Sequence, residues 1–354
     1  MTVAHKLRDK KILLCPEEIA GNMQLIAEEL RRRGFYATAA SYNAHGYLGY
    51  VNDIHLNLQS TKGRLKRHMQ TLTFTLWAIT NYDIFHFFFG RSLYGLRRFP
   101  HLDLRVLHKL GKRIFVHFRG SDVIGKPYRD YLRYKVIDAE LYEPPISNPQ
   151  QRRKIDIWRA YADRVLVSFP LLFKAVPDAV MVKQAINLEY WRPNSTSTES
   201  PNDGIIRVVH APTNREKKGT EFILRSINAL KRQGYPVEIE LIENIPHKKV
   251  KQLYEICDIG VDQVLCGWYG NTSIELMALG KPVICNIDQE LRHHASDLPI
   301  LSADPKTLTE KLKELVENKQ LRSELGQKGI DYVKKNHDVK VIADRCISIY
   351  EGNL

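Results

Sequence analysis

The feature that most constrains this fold is a recurrence of short, unbroken apolar runs with helical segments between them. In the first half the runs are 11–15 (KILLC), 35–41, 83–89 (DIFHFFF), 113–118 (RIFVHF) and 164–168. A strand wetted on one face alternates polar and apolar residues. A strand that is apolar throughout is covered on both faces, as in a parallel sheet flanked by helices. The intervening segments have the matching period. Residues 21–33 place Met23, Ile26, Ala27 and Leu30 at helical spacing, and Gly34 stops the helix. Residues 65–80, 102–110 and 152–162 read as helices in the same way.

The second half repeats the alternation. Strands are expected at 207–211, 237–242, 259–264 and 281–287, and helices at 247–257, 271–279, 306–316, 321–335 and 339–350. A basic loop, 212–219, leads into a further helix carrying Phe222, Ile223, Ile227 and Leu230. Right-handed crossovers make such a series a Rossmann-like domain. Residues 192–204 (RPNSTSTESPNDG) are polar and aperiodic and hold two prolines, which marks a linker. The chain's 354 residues suit two domains. The expected division is 1–195, 205–337 and a closing helical segment, 338–354.

Charge separates the halves. The net charge is +13, yet residues 1–195 hold 31 Lys and Arg against 17 Asp and Glu, and the remainder is nearly balanced. Such an asymmetry points the first half at an anionic partner: nucleic acid, an acidic membrane surface or an acidic small molecule. A basic pI that only aids solubility is the other reading. The stretch 62–68 (KGRLKRH), followed by Leu72, Phe74, Leu76 and Trp77, is the best interfacial candidate. A helix packed on the sheet with solvated charges is the commoner explanation of such a stretch. The five cysteines are scattered with no CxxC, no apolar run is long enough for a membrane span, and no apolar stretch precedes the amino-terminal charges. The expectation is a soluble, cytoplasmic protein.

Ligands of open parallel sheets bind beyond the carboxyl ends of the strands, so the loops after strands carry the candidates. Asn214, Arg215, Lys218 and Gly219 lie in a loop that delivers cations to a helix start, where free N–H groups and the dipole favour anions such as a diphosphate. Asp262 and Gln263 end an apolar strand. Gly267 and Gly270 then let the backbone approach a ligand. Asn271, Thr272 and Ser273 are N-cap candidates, and Glu275 can accept hydrogen bonds from ribose hydroxyls. In the first half, Gly21 and Asn22 follow the first strand, His86 lies within DIFHFFFG, Arg91 follows it, and Arg119 and Asp122 close HFRGSD. A lone buried histidine such as His86 is more often a core residue than a reactive one. No P-loop, GxGxxG, GxSxG or HExxH motif occurs, no metal-ligand spacing appears, and no nucleic-acid-binding motif is found.

The string GNTSIELMALGKPVIC resembles the donor-site signature of retaining family 4 glycosyltransferases of the GT-B fold. NREKKG is similar to their basic loop, HFRGSD to their first-domain H-G-x-D loop, and YDIFHFFFG to their strand D-V-x-H-x-H. The resemblance follows nearly the whole chain in order. It implies an α/β, GT-B architecture: two Rossmann-like parallel-sheet domains facing across a cleft, with a C-terminal helix crossing back to the first. It implies a nucleotide-diphosphate sugar as donor, with no cofactor and no metal, and a glycan, lipid-linked or small-molecule acceptor. Arg215 and Lys218 would hold the diphosphate and Glu275 the ribose. Asn214, Gly219, Gln263, Gly270, Asn271 and Thr272 would complete the donor site, with Arg119, Asp122 and Asp262 as catalytic candidates. Gly21, Asn22, His86 and Arg91 would line the acceptor side. No nucleic acid is expected as partner. The surplus charge of the first domain would then face the acceptor or an anionic inner membrane surface.

Two positions depart from the family pattern. Gly267 stands where the family has a glutamate that contacts the donor sugar, and Arg119 where it has the histidine of H-G-x-D. Asp262 or Gln263 is the expected substitute for the sugar contact. Two alternatives stay open: a catalytically impaired sugar-nucleotide-binding protein, and a GT-B nucleotide-sugar epimerase.

Overall fold

The computed structural model describes residues 7–18, 20–43, 51–96, 99–138, 140–193 and 203–354. It divides into two compact units. The first comprises 1–126, 145–185 and 339–354, the second 127–144 and 186–338. The polar segment read as a linker falls largely at 194–202, outside the described residues.

In the first unit β1 (Lys11–Cys15), β2 (Tyr36–Ser41), β3 (Ile54–His55), β4 (Ile84–Phe88), β5 (Arg113–Phe118), β6 (Arg164–Val167) and β7 (Val180–Met181) form one parallel sheet. Its order is β3-β2-β1-β4-β5-β6-β7, with Leu14 opposite His86 and Phe88 opposite His117. Helices α1 (Asn22–Arg32), α2 (Arg64–Asn81), α3 (Leu102–Lys109) and α5 (Pro149–Tyr161) belong to this unit, whereas α4 (Lys126–Tyr134), between α3 and α5 in the chain, falls almost wholly in the second. Helix α5 starts earlier than its apolar period indicates. Asn148 and Gln151 form a reciprocal capping box, with Pro149 in the first turn.

In the second unit β8 (Ile206–His210), β9 (Val237–Leu241), β10 (Ile259–Val261), β11 (Val283–Cys285) and β12 (Leu301–Ser302) form a parallel sheet in the order β12-β11-β10-β8-β9. Its helices are α6 (Arg215–Lys218), α7 (Thr220–Arg232), α8 (His247–Glu255), α9 (Asn271–Ala278), α10 (Leu308–Glu317) and α11 (Lys319–Asn336). The core gathers Val208, Ile223, Ile227, Leu230, Ile259, Val261, Leu308 and Leu312, all at most 1% exposed. Val136 of the 127–144 segment packs against it. That segment also bonds to the second unit by charge: Arg133 donates to Glu216 at 3.0 Å, and Lys135 donates to Asp288.

Helix α12 (Val339–Glu351) belongs to the first unit. Its buried face, Ile342, Ala343, Cys346, Ile349 and Tyr350, joins Met23, Ile26 and Leu30 of α1 in one core cluster. Each large side chain so covered stabilises the unit by about 1.5–3 kcal/mol. Among the described residues no helix is long and apolar enough to cross a membrane.

Candidate functional site

Both sheets have a point where the strand order reverses, and there the loops splay apart and leave a crevice. In the second unit it lies between β8 and β10. The loops leaving those two strands carry Asn214 to Gly219 and Asp262 to Gly270, so distant sequence candidates come together.

Asp262 is the hub. Its carboxylate, 1% exposed, accepts from Lys218 Nζ at 2.5 Å, Ser273 Oγ at 2.7 Å and the Gly270 N–H at 2.8 Å. The Lys218 ammonium and these donors hold its pKa below the ordinary carboxylate value despite burial, and the carboxylate holds the Lys218 pKa up. Asp262 is thereby committed to protein donors. The N-cap of α9 is Gly270, not Asn271, Thr272 or Ser273, and no side chain caps the helix. Asp262, from the loop after β10, instead holds the Gly270 N–H and the Ser273 hydroxyl. One glycine here is tightly surrounded and another is required by its backbone. A Cβ on Gly270 would lie 3.1 Å from an Asp262 oxygen and 3.3 Å from Lys218 Nζ. Gly219 has φ +79°, and a Cβ there would lie 2.5 Å from Val264. Lys218 therefore sits at the amino terminus of α9 with two ammonium protons to spare.

The other donor-side candidates support this arrangement. Asn214 caps α6 by accepting from the Lys217 N–H at 2.8 Å. Arg215, half exposed, is bonded through two nitrogens to Glu243 at 2.6 and 2.8 Å. Gln263 donates to the Trp268 carbonyl and so folds the loop on itself. Glu275, 9% exposed, lies one turn into α9, where its charge pushes up the pKa values of Tyr254 and Tyr190 after burial has done so. Thr272 bonds to Tyr254. Gly267 has φ +71°, and Asp288 lies 3.4 Å from where its Cβ would be.

Sequence reading missed three contributors. His210 ends β8 fully buried, bonded to the Val261 carbonyl (2.8 Å) and Thr220 Oγ1 (2.9 Å). It ties β8, β10 and α7 together beneath Lys218. Its signal was a polar residue closing the apolar strand IRVVH. Glu243 and the Lys135–Asp288 pair had no local signal, since each depends on elements far apart in sequence.

In the first unit most candidates are bound up in the scaffold. Asn22 is fully buried and accepts from the Ala185 N–H at 3.0 Å. Gly21 precedes α1 with φ +75°, and Glu18 accepts the first N–H groups of that helix. His86 is fully buried, with Nδ1 2.6 Å from the Tyr350 hydroxyl and its ring stacked on Phe88 and His117. Asp122 accepts from the backbone N–H groups of Arg119 (3.0 Å) and Gly120 (2.6 Å), holding its own loop. Arg119 donates to Gln184 and lies over Phe88, and one of its guanidinium nitrogens, Nη1, is buried without a partner. Arg91 is bonded to Glu17 at 2.6 Å. Among the described residues no three His, Cys, Asp or Glu side chains gather as metal ligands.

The buried imidazoles give a pH prediction. Burial, then the Arg119 charge, lowers His86 to about 3, and His117 is pushed well down for the same reasons. The unfolded chain takes up these protons below pH 6.5 and the folded chain does not. Stability should fall as pH drops from 6.5, by about 1.4 kcal/mol per pH unit for each such group. Urea unfolding at pH 7 and pH 5.5 reads the slope. A His86→Phe variant with an unchanged slope would refute the assignment.

No family model matches the sequence, and no curated protein is significantly similar to it. Solved structures are similar in fold. A sucrose-phosphate synthase from Thermosynechococcus elongatus matches with a TM-score of 0.65 at 14% identity, over 97% of this chain and 99% of that one. An alpha-glucosyltransferase in complex with UDP and a mismatched DNA matches at 0.57 and 11%, over 96% and 99%. A spinosyn rhamnosyltransferase with thymidine diphosphate matches at 0.50 and 11%, over 95% and 100%. The architecture of this chain, two parallel-sheet α/β units, is the GT-B fold of glycosyltransferases.

Proposed function

We propose that the protein is a glycosyltransferase that takes its sugar from a nucleotide-diphosphate sugar bound by the second unit. The observation that carries this reading is the Lys218–Asp262 pair (2.5 Å), which fixes a buried cation at the amino terminus of α9. Unpaired N–H groups, the helix dipole and that ammonium together suit a diphosphate. Two of the solved structures of this fold carry a nucleoside diphosphate. In the transfer, the bond from the anomeric carbon to the β-phosphate oxygen breaks. A bond to an acceptor oxygen forms, and the acceptor proton leaves with the diphosphate. Arg215 and Lys218 meet the charge that develops on the leaving group. Glu275, beside Tyr254, holds the ribose. The likeness to family 4 enzymes supports retention at the anomeric carbon, and the two cations fill the role a metal would otherwise have. In the first unit Arg119 keeps a buried guanidinium nitrogen with no partner among the described residues and is the group best suited to orient an acceptor.

The test is release of nucleoside diphosphate from a panel of sugar nucleotides, with a parallel thermal-shift screen of nucleoside diphosphates. A Tm rise with one base, lost in Arg215→Ala/Lys218→Ala, is expected. No shift with any base would overturn the reading. A further outcome follows from the ion pair Arg215 makes. A diphosphate must draw Arg215 away from Glu243, so Glu243→Gln should tighten nucleoside diphosphate binding several-fold by calorimetry. Weaker binding in that variant would show that Glu243 serves the ligand instead.

A further inference from the structure

The surplus positive charge lies in the first unit, which holds 29 Lys and Arg against 14 Asp and Glu, while the second holds 24 against 26. Part of that charge surrounds a cavity. A space of about 610 Å³ opens at the carboxyl-terminal end of the first sheet, beside the loop that leaves β4. Its walls are the first turns of α2, Tyr42 just after β2, and the loop 91–96 after β4. It thus occupies the place where a parallel sheet takes ligands. Arg64, Arg67, His68, Arg91 and His101 line it, and among the described residues no Asp or Glu does. Arg91 is bonded to Glu17, while Arg64 and Arg67, both exposed, have no carboxylate partner among the described residues. The half-buried His68 ring lies 5.7 Å from that of Tyr94, Arg91 lies over the Tyr42 ring at 5.3 Å, and His101 is bonded to Ser92 at 3.0 Å. The floor is built rather than incidental. Tyr42 donates to the Leu93 carbonyl, and the buried Asp103 accepts from the Leu93 N–H at 2.7 Å.

We propose that this cavity binds a phosphate or diphosphate group carried by the acceptor. Forked guanidinium donors converging from two elements, beside the unpaired N–H groups at the start of α2, match the several oxygens of a phosphate better than a neutral sugar. A solvated basic face has no need of a cavity, nor of a wall free of carboxylates. Part of the wall is apolar: Leu58, Leu96 and Pro100 line it, and Leu96 is 39% exposed. The phosphate's carrier is therefore either a soluble sugar phosphate or a lipid. Phosphate binding stands on the cavity itself; its belonging to the acceptor rests on the glycosyl transfer proposed above.

The experiment uses the full chain and the variant Arg64→Ala/Arg67→Ala. Calorimetry with hexose 6-phosphate and with inorganic pyrophosphate reads the soluble arm. Co-sedimentation with phosphatidylcholine vesicles, with and without phosphatidic acid, reads the lipid arm. Binding in at least one arm should weaken about tenfold or more in the variant, and the arm affected names the carrier. The thermal shift produced by nucleoside diphosphates should be unchanged, which separates this site from the donor site. Arg215→Ala should have the opposite pattern. Binding that is absent in every arm, or equal in wild type and variant, would overturn the proposal whether or not donor turnover is found.

Discussion

Replacing Asp262 by alanine should destabilise the second unit by about 3–5 kcal/mol and lower its Tm by on the order of 10 °C. The carboxylate is 1% exposed and holds Lys218, Ser273 and the Gly270 N–H at once. Its loss leaves an ammonium, 14% exposed, with no counter-charge, and an N–H and a hydroxyl with no acceptor. The matching change Lys218→Met/Asp262→Asn removes both charges and keeps an acceptor for Gly270, so most of that stability should return. The pH dependence has a definite sign. The folded pKa of Asp262 is depressed, so its contribution is complete above the ordinary carboxylate value near 4 and is lost as pH falls through the folded value. A single Asp262→Ala variant as stable as the wild type would show that the pair is not the hub described above.

Arg215→Ala should cut nucleoside diphosphate release by about 10²–10³-fold while leaving the Tm nearly unchanged. Its guanidinium is half exposed and its bond to Glu243 is screened by water, so little folding stability rides on it. Lys218 behaves differently, because any single replacement strands Asp262. The Lys218→Met/Asp262→Asn protein is the informative comparison: folded, yet slow. Steady-state release with saturating sugar nucleotide, beside a melting curve for each variant, separates the two effects. A turnover that survives Arg215→Ala would remove the diphosphate role from the α6 loop.

The strands were legible because parallel strands covered on both faces must be apolar throughout. KILLC, DIFHFFF and RIFVHF left no other reading. The two-residue strands Ile54–His55, Val180–Met181 and Leu301–Ser302 were not, since two residues carry no period. Helix Lys126–Tyr134 was missed because only Tyr128 and Leu132 of its nine residues are buried. The candidate site was legible as residue types. Lys218, Asp262 and Gly270 were each singled out, but their convergence depends on β8 lying beside β10, and strand order is not written in local periodicity. For the same reason Asp262, expected with Gln263 as a substitute sugar contact, gave no sign in the sequence that its oxygens also accept from Lys218, Gly270 and Ser273.

The division of the chain between the two units has a consequence for biosynthesis. The first unit is begun first and finished last. Its core lacks Ile342, Cys346, Ile349 and Tyr350 until the thirteen-residue helix has been translated, and by then the whole second unit has been synthesised. The second unit in turn depends on 127–144, made before most of it. A ribosome stalled anywhere before residue 339 therefore holds a first unit with an uncovered α1 face. Protease protection of that unit in stalled nascent chains should appear only once residues 339–351 lie outside the ribosome.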